Sequence, residues 1–232
     1  MSNPFFRFKQ FTVYHDLCAM KVGIDGVLLG AWADCQDIKY ALDVGTGSGL
    51  IALMLAQRSD AHIHAIDIDE NACKQAQINF YNSPFNDRLS FEHIAFQNLS
   101  SFVKYDLIVS NPPYFVNSLK SPDKNRNIAR HDDHLPLEDL FNKSVSLLNP
   151  YGKTAFILPF DQLENANKIA IDNKLFLCRK ALVSSVQDNP PKRVLLEFSL
   201  MDQELTEDSF YIGKTKQTYS NKYQALTQDF YL

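Results

Sequence analysis

Residues 111–114 read Asn-Pro-Pro-Tyr and follow directly on an apolar run, Tyr105-Asp106-Leu107-Ile108-Val109-Ser110. Such a run reads as a strand buried on both faces. In open α/β sheets, ligands bind just outside the carboxyl ends of such strands. Pro112 and Pro113 fix φ and remove two backbone donors. The segment is therefore stiff, and its carbonyls stay available as acceptors. The side-chain oxygen of Asn111 and the carbonyl of Pro112, held side by side, can grip both hydrogens of one planar amine. The ring of Tyr114 can stack on the plane that carries that amine. This is chemistry for an exocyclic base amine or a carboxamide. A proline-rich turn closing a strand would account for the two prolines, but not for Asn before them and Tyr after.

A second constellation lies upstream, where residues 40–50 read Tyr-Ala-Leu-Asp-Val-Gly-Thr-Gly-Ser-Gly-Leu. An apolar strand runs into a loop holding Gly45, Thr46, Gly47 and Gly49, and a helix follows from Leu50. Glycines let backbone approach a ligand closely, and the helix N-terminus offers unsatisfied N–H groups. Dinucleotide enzymes use GxGxxG to hold a pyrophosphate. Here the spacing is GxGxG, and Asp43 precedes it. A carboxylate repels a pyrophosphate but attracts the ammonium or sulfonium of S-adenosylmethionine, so Asp43 favours that cofactor over NAD. The next strand, His62 to Asp67, ends in an acid at the spacing that reaches a ribose hydroxyl. Asp67 and the adjoining Ile68 thus point to a nucleoside without choosing between the two cofactors. Asp69 is the better cap for a helix beginning at Glu70.

These motifs need elements to hold them. Strands over 40–45, 62–67, 88–94, 105–110 and 152–158 alternate with helices near 48–58, 70–82, 136–148 and 161–173. That alternation implies an α/β fold with helices on both faces of a parallel sheet. The last segments, near 176–186 and 192–200, are expected at its antiparallel end. Residues 1–33 form a lead-in of mixed strand and helix, and about 203–232 a C-terminal tail, around a single domain. Gly23, Gly26 and Gly30 allow sharp turns, so Met20 to Gly26, with Lys21, Gly23 and Asp25, is expected to close over the cofactor.

A chain of 232 residues supports one α/β domain with a substantial core. No apolar run approaches the ~20 residues of a membrane span. The N-terminus lacks a signal-peptide layout, and a cytoplasmic location is expected. Cys18, Cys35, Cys73 and Cys178 form no CxxC pair and read as reduced thiols. His131-Asp-Asp-His134 matches no standard metal spacing, so no metal is expected. Net charge is −4, which argues against tight sequence-blind binding to nucleic acid. A local basic rim remains available: Lys120, Lys124, Arg126 and Arg130 follow the Asn-Pro-Pro-Tyr motif, and Lys192 and Arg193 form a second cluster. The polar stretch 117–134 is a candidate substrate loop.

Together the motifs resemble the class I S-adenosylmethionine-dependent methyltransferases, in the branch with Asn-Pro-Pro-Tyr that methylates amino groups of adenine, guanine or glutamine. Residues 8–32, Arg193 to Ser199 and the stretch from Tyr219 to Leu232 are similar to the bacterial tRNA1(Val) adenine-37 N6-methyltransferases. The resemblance implies a Rossmann-like, seven-stranded, mostly parallel sheet with an antiparallel last strand. It implies S-adenosylmethionine as cofactor, the N6 amine of adenine 37 beside the anticodon of a valine tRNA as target, and a monomer. Where that family often has an acid against the cofactor's adenine amine, this chain has Phe96. Three alternatives remain: a release-factor glutamine methyltransferase, an rRNA guanine methyltransferase, and a Rossmann protein that binds NAD or lacks catalysis. The first two usually carry a longer N-terminal domain. The third disagrees with the GxGxG spacing and with Asn111 to Tyr114.

Overall fold

The computed structural model describes residues 3–18, 20–113, 135–215 and 218–232. A short hairpin opens the chain, with β1 (Phe5–Arg7) antiparallel to β2 (Thr12–Tyr14). Helix α1 (Ile24–Trp32) follows. Then β3 (Tyr40–Val44), α2 (Leu50–Arg58), β4 (His62–Asp67), α3 (Glu70–Tyr81), β5 (Leu89–His93) and β6 (Tyr105–Ser110) alternate as expected. After β6 come α4 (Leu137–Leu147), β7 (Leu148–Pro159), α5 (Leu163–Asp172), β8 (Phe176–Val186) and β9 (Arg193–Ser199). The chain closes with β10 (Thr206–Thr215), β11 (Thr218–Tyr219) and α6 (Asn221–Thr227).

Nine of these strands form one sheet, in the order β11-β10-β8-β9-β7-β6-β3-β4-β5. The β3, β4, β5, β6 and β7 strands run parallel, and β9 is antiparallel to both β7 and β8. The seven strands from β3 to β9 match the expected architecture. The difference lies in the tail, which adds two strands. Residues of β10 pair in parallel with β8, and Phe210 turns into the core. An edge that would otherwise stand open as a template for pairing is thereby covered.

The central strands carry apolar residues on both faces because helices cover both. On one face α1, α2 and α3 pack with the hairpin and the C-terminal helix around Leu28, Leu53, Ile63 and Val109. Helix α2, Leu-Ile-Ala-Leu-Met-Leu-Ala, is buried from Leu50 to Ala56, as a helix apolar all round must be. On the other face α4 and α5 cover Leu42, Ile108, Phe156 and Phe198, with Phe141 edge-on to the last two. The two chain ends meet on the first face. The Lys9 N–H donates to the Phe230 carbonyl at 2.8 Å, Phe8 stacks on Tyr231, and the Tyr223 and Tyr231 hydroxyls meet at 3.0 Å. Among the described residues no helix is long and apolar enough to cross a membrane.

Glu197 is buried at the middle of β9, and two cations offset the cost of burying it. Lys153 Nζ lies 3.2 Å from its carboxylate and Arg179 3.7 Å. Lys153 also reaches Asp34, and Arg179 lies over the Trp32 ring, so the network anchors the end of α1 to the sheet.

Candidate active site

Strand order reverses between β3 and β6, so the connections leaving their carboxyl ends diverge and open a crevice. Register sets what meets there. Val44 pairs with Ser110, and the buried Ser110 hydroxyl donates to the Val44 carbonyl at 2.9 Å. The glycine loop and the Asn-Pro-Pro segment therefore start side by side. Gly45, Gly47, Asp67, Ile68, Phe96, Asn111, Pro112 and Pro113 all line one cavity of about 620 Å³.

The glycines divide by role. Gly45 and Gly47 have φ of 70° and 55°, and a Cβ on either would meet nothing within 4 Å. Their backbone borders open space. Gly49 instead packs: a Cβ there would lie 2.4 Å from the Phe80 ring of α3. It lets α2 start close to α3 and does not touch the cavity.

Asp67 holds the loop. One carboxylate oxygen accepts from the Gly47 N–H at 2.8 Å, the other from the Asp69 N–H at 2.9 Å. Burial raises its pKa, and the backbone donors oppose that rise. Asp69 caps α3 by accepting from the Asn71 N–H. Asp43 departs from expectation. It is 0 % exposed, lies behind the loop, and accepts from the Thr46 hydroxyl at 2.7 Å and the Ala52 N–H at 3.2 Å. It ties the loop to α2 and is not among the cavity walls, because Thr46 also turns inward onto it. Burial pushes its pKa up to about 7. Its second oxygen has no protein partner.

Phe96 is buried in a short helical turn, Phe96–Asn98, and lines the cavity with Ile66, Ile68 and Ile94. These residues give it an apolar slot beside the Asp67 carboxylate. Of the segment expected to close over the cofactor, Met20 alone lines the cavity. Gly23 caps α1, Asp25 lies in its first turn, and Lys21 precedes it, none of them at the cavity. Asp25 pairs with Arg193 at 2.8 Å, which ties α1 to β9. The lead-in contributes to the wall Met20, the first residue of that expected segment, and Cys18, which sequence reasoning read only as a reduced thiol. Burial, then the Asp67 charge, pushes the Cys18 thiol up to about 12.

Lys192 is exposed beside Arg193 at the carboxyl end of β7, where its carbonyl accepts from the Phe160 N–H. Tyr114, Lys120, Lys124, Arg126, Arg130 and the His131–His134 run lie outside the described residues. Among the described residues no group of His, Cys, Asp or Glu is placed to hold a metal. His64 bonds the Tyr105 hydroxyl and pairs with Glu92, an ordinary sheet role.

Comparison with known proteins agrees with this geometry. The family profile described as Methyltransferase small domain matches residues 27–158. A tRNA1(Val) (adenine(37)-N6)-methyltransferase of Parabacteroides distasonis is 51% identical over 100% of this chain and 99% of its own length. Among solved structures, one described as a predicted O-methyltransferase from Agrobacterium tumefaciens superimposes with a TM-score of 0.68 at 14% identity, covering 89% of this chain and 96% of its own. The N-methyltransferase NodS from Bradyrhizobium japonicum, solved with S-adenosyl-L-homocysteine, gives a TM-score of 0.52 at 18% identity over 74% of this chain and 82% of its own. These two show the fold. The full-length identity carries more, and the chain belongs to the methyltransferase small domain family and, within it, to the tRNA1(Val) (adenine(37)-N6)-methyltransferases.

Proposed function

We propose that the protein transfers a methyl group from S-adenosylmethionine to the N6 amine of adenine 37 in tRNA1(Val). The observation that carries this reading is the meeting of two unrelated motifs, the glycine loop with Asp67 and the Asn111-Pro112-Pro113 strand end, on one cavity. The residues fit the cofactor. Gly45 and Gly47 leave space that any side chain would fill. Asp67 offers a carboxylate to a ribose diol, and Phe96, Ile68 and Ile94 offer an apolar slot to a base.

The cofactor supplies an electrophilic methyl on a sulfonium. The chain's own residues must bind, align and desolvate the amine. An adenine amine is a poor nucleophile because its lone pair is shared with the ring. Asn111 and the Pro112 carbonyl accept its two hydrogens, which lets the nitrogen turn tetrahedral and direct its lone pair. Tyr114 stacks on the base. The nitrogen takes the methyl, breaking the methyl–sulfur bond and leaving its electron pair on the neutral thioether. The methylated amine, now acidic, releases one N–H proton to solvent, so no strong general base is needed. The base leaves its stack to enter, at a cost of a few kcal/mol. Lys192 and the cluster from Lys120 to Arg130 contact the RNA backbone. Full-length relatives named for this reaction support the choice of substrate.

Labelled S-adenosylmethionine offered with bulk tRNA, rRNA and release factor tests the reading. Label is expected in tRNA, as N6-methyladenosine at position 37. Label confined to rRNA guanine or to release-factor glutamine would overturn it.

A further inference from the structure

Helix α3 buries two carboxamides four residues apart, Gln75 and Asn79, each 1% exposed. A buried polar group costs free energy unless it is hydrogen-bonded, and both side chains spend their bonds on main chain far away in sequence. Asn79 accepts from the Tyr14 N–H at 2.9 Å and donates to the Tyr14 carbonyl at 2.8 Å. Its other N–H donates to the Ser48 carbonyl at 2.7 Å. Gln75 accepts from the Leu17 N–H at 2.9 Å. The lead-in thus lies along α3 as a strand lies along a neighbour, with side chains standing in for the missing backbone.

What these bonds hold matters. Ser48 sits between Gly47, which lines the cavity, and Gly49, which packs on Phe80. Tyr14 and Leu17 run directly into Cys18 and Met20, which line the same cavity. One carboxamide therefore spans two parts of the wall, 31 and 65 residues from it in sequence.

We propose that Asn79 is a positioning residue for the cofactor site, clamping the lead-in segment and the glycine loop into one wall. The inference rests on the reading of the cavity as the S-adenosylmethionine site. An apolar side chain of equal size would fill the space yet leave three main-chain groups unpaired: the N–H and carbonyl of Tyr14 and the carbonyl of Ser48. An aspartate would keep the acceptor and set lone pairs against two carbonyls. A site's first contacts must be held by a supporting shell to a fraction of an ångström to be productive. Asn79 supplies that support without touching the ligand. Cofactor binding and order in residues 14–18 are then linked.

The test measures S-adenosylhomocysteine binding by calorimetry and hydrogen exchange with and without it, on the full chain. In the wild type, ligand is expected to slow exchange at residues 14–18 as well as at 45–49. Asn79→Ala should weaken binding about tenfold, the cost of one or two lost bonds, and abolish the ligand-linked protection of 14–18 while 45–49 keeps some of theirs. Gln75→Ala, which frees only Leu17, should weaken binding about threefold and lose protection at Leu17 and Cys18. It carries the test if Asn79→Ala does not fold. Unchanged affinity and unchanged protection in the variants overturn the positioning role. A wild type that does not bind the ligand overturns the cofactor reading instead.

Discussion

At the scale of single residues, Asn111 and Asp43 separate chemistry from architecture. Asn111 lines the cavity, and its proposed task is to orient the target amine. Asn111→Ala should cut turnover on the order of 10²-fold or more, as misplacement of a reacting group does. Affinity for S-adenosylhomocysteine, measured by calorimetry, should stay within about threefold. Normal turnover in that variant would remove the amine-gripping mechanism. Asp43 predicts a pH effect on stability. Its pKa of about 7 in the fold stands above the ~3.9 of an unfolded aspartate. Between those values the folded state holds the extra proton, so Asp43's contribution to stability falls as pH rises from about 4 to about 7. In urea denaturation of the ligand-free protein at pH 5 to 8, the wild type should lose stability relative to Asp43→Asn, by a few kcal/mol at most. Parallel curves for the two proteins would show that the buried carboxylate titrates normally.

At the scale of elements, the meeting of α2 and α3 is set by an absent side chain. Gly49→Ala would force a Cβ to within 2.4 Å of Phe80 at a left-handed φ. A destabilisation of about 1–3 kcal/mol is expected from the overpacking and the backbone together. Adding Phe80→Ala should recover the steric part, so a double-mutant cycle read by denaturation should be clearly non-additive. This glycine also shows where sequence legibility ends. The periodicity of strands and helices made the sheet readable, and the strand-end rule located the cavity at Gly45, Gly47, Asp67 and Asn111. Gly49 sits in the same motif but serves helix packing, and motif spacing carries no sign of which neighbour a glycine faces. Asp43 misled for a related reason: its charge was legible, but not its burial behind Thr46 and Ala52. The two added strands of the tail were missed because β10 depends on the free edge of β8, a long-range partner. Gln75 and Asn79 had one local signal, polar residues four apart on the buried face of α3, and it was not used.

At the scale of the whole molecule, an acidic chain has to meet a polyanion. Contact must then come from a few placed cations near the crevice. Lys192 is exposed, whereas Arg193 is drawn into its pair with Asp25. Lys192→Glu should raise the apparent constant for tRNA and leave that for S-adenosylmethionine unchanged. The slope of binding against salt should drop by about one, as for one lost phosphate contact. Identical salt slopes would place the RNA elsewhere, and Lys124, Arg126 and Arg130 would be next. The second global feature is the joined ends. Phe230→Ala empties a buried site and should cost about 3–5 kcal/mol. Faster hydrogen exchange in residues 5–14 should accompany the loss, since the hairpin rests on that ring's neighbours.

The bond from the Lys9 ammonium to the Gln228 carbonyl, which reinforces the Lys9–Phe230 main-chain bond, has a consequence for manufacture. Its partners lie 219 residues apart, and at ribosomal rates of ~5–20 residues per second the hairpin waits roughly 10–40 s for its seat. Through that interval Phe8 lacks the Tyr231 ring that it stacks on in the fold, which leaves apolar surface for chaperones. A ribosome that stalls late therefore leaves a chain whose sheet is nearly whole and whose N-terminal hairpin has not reached its seat on the C-terminal helix.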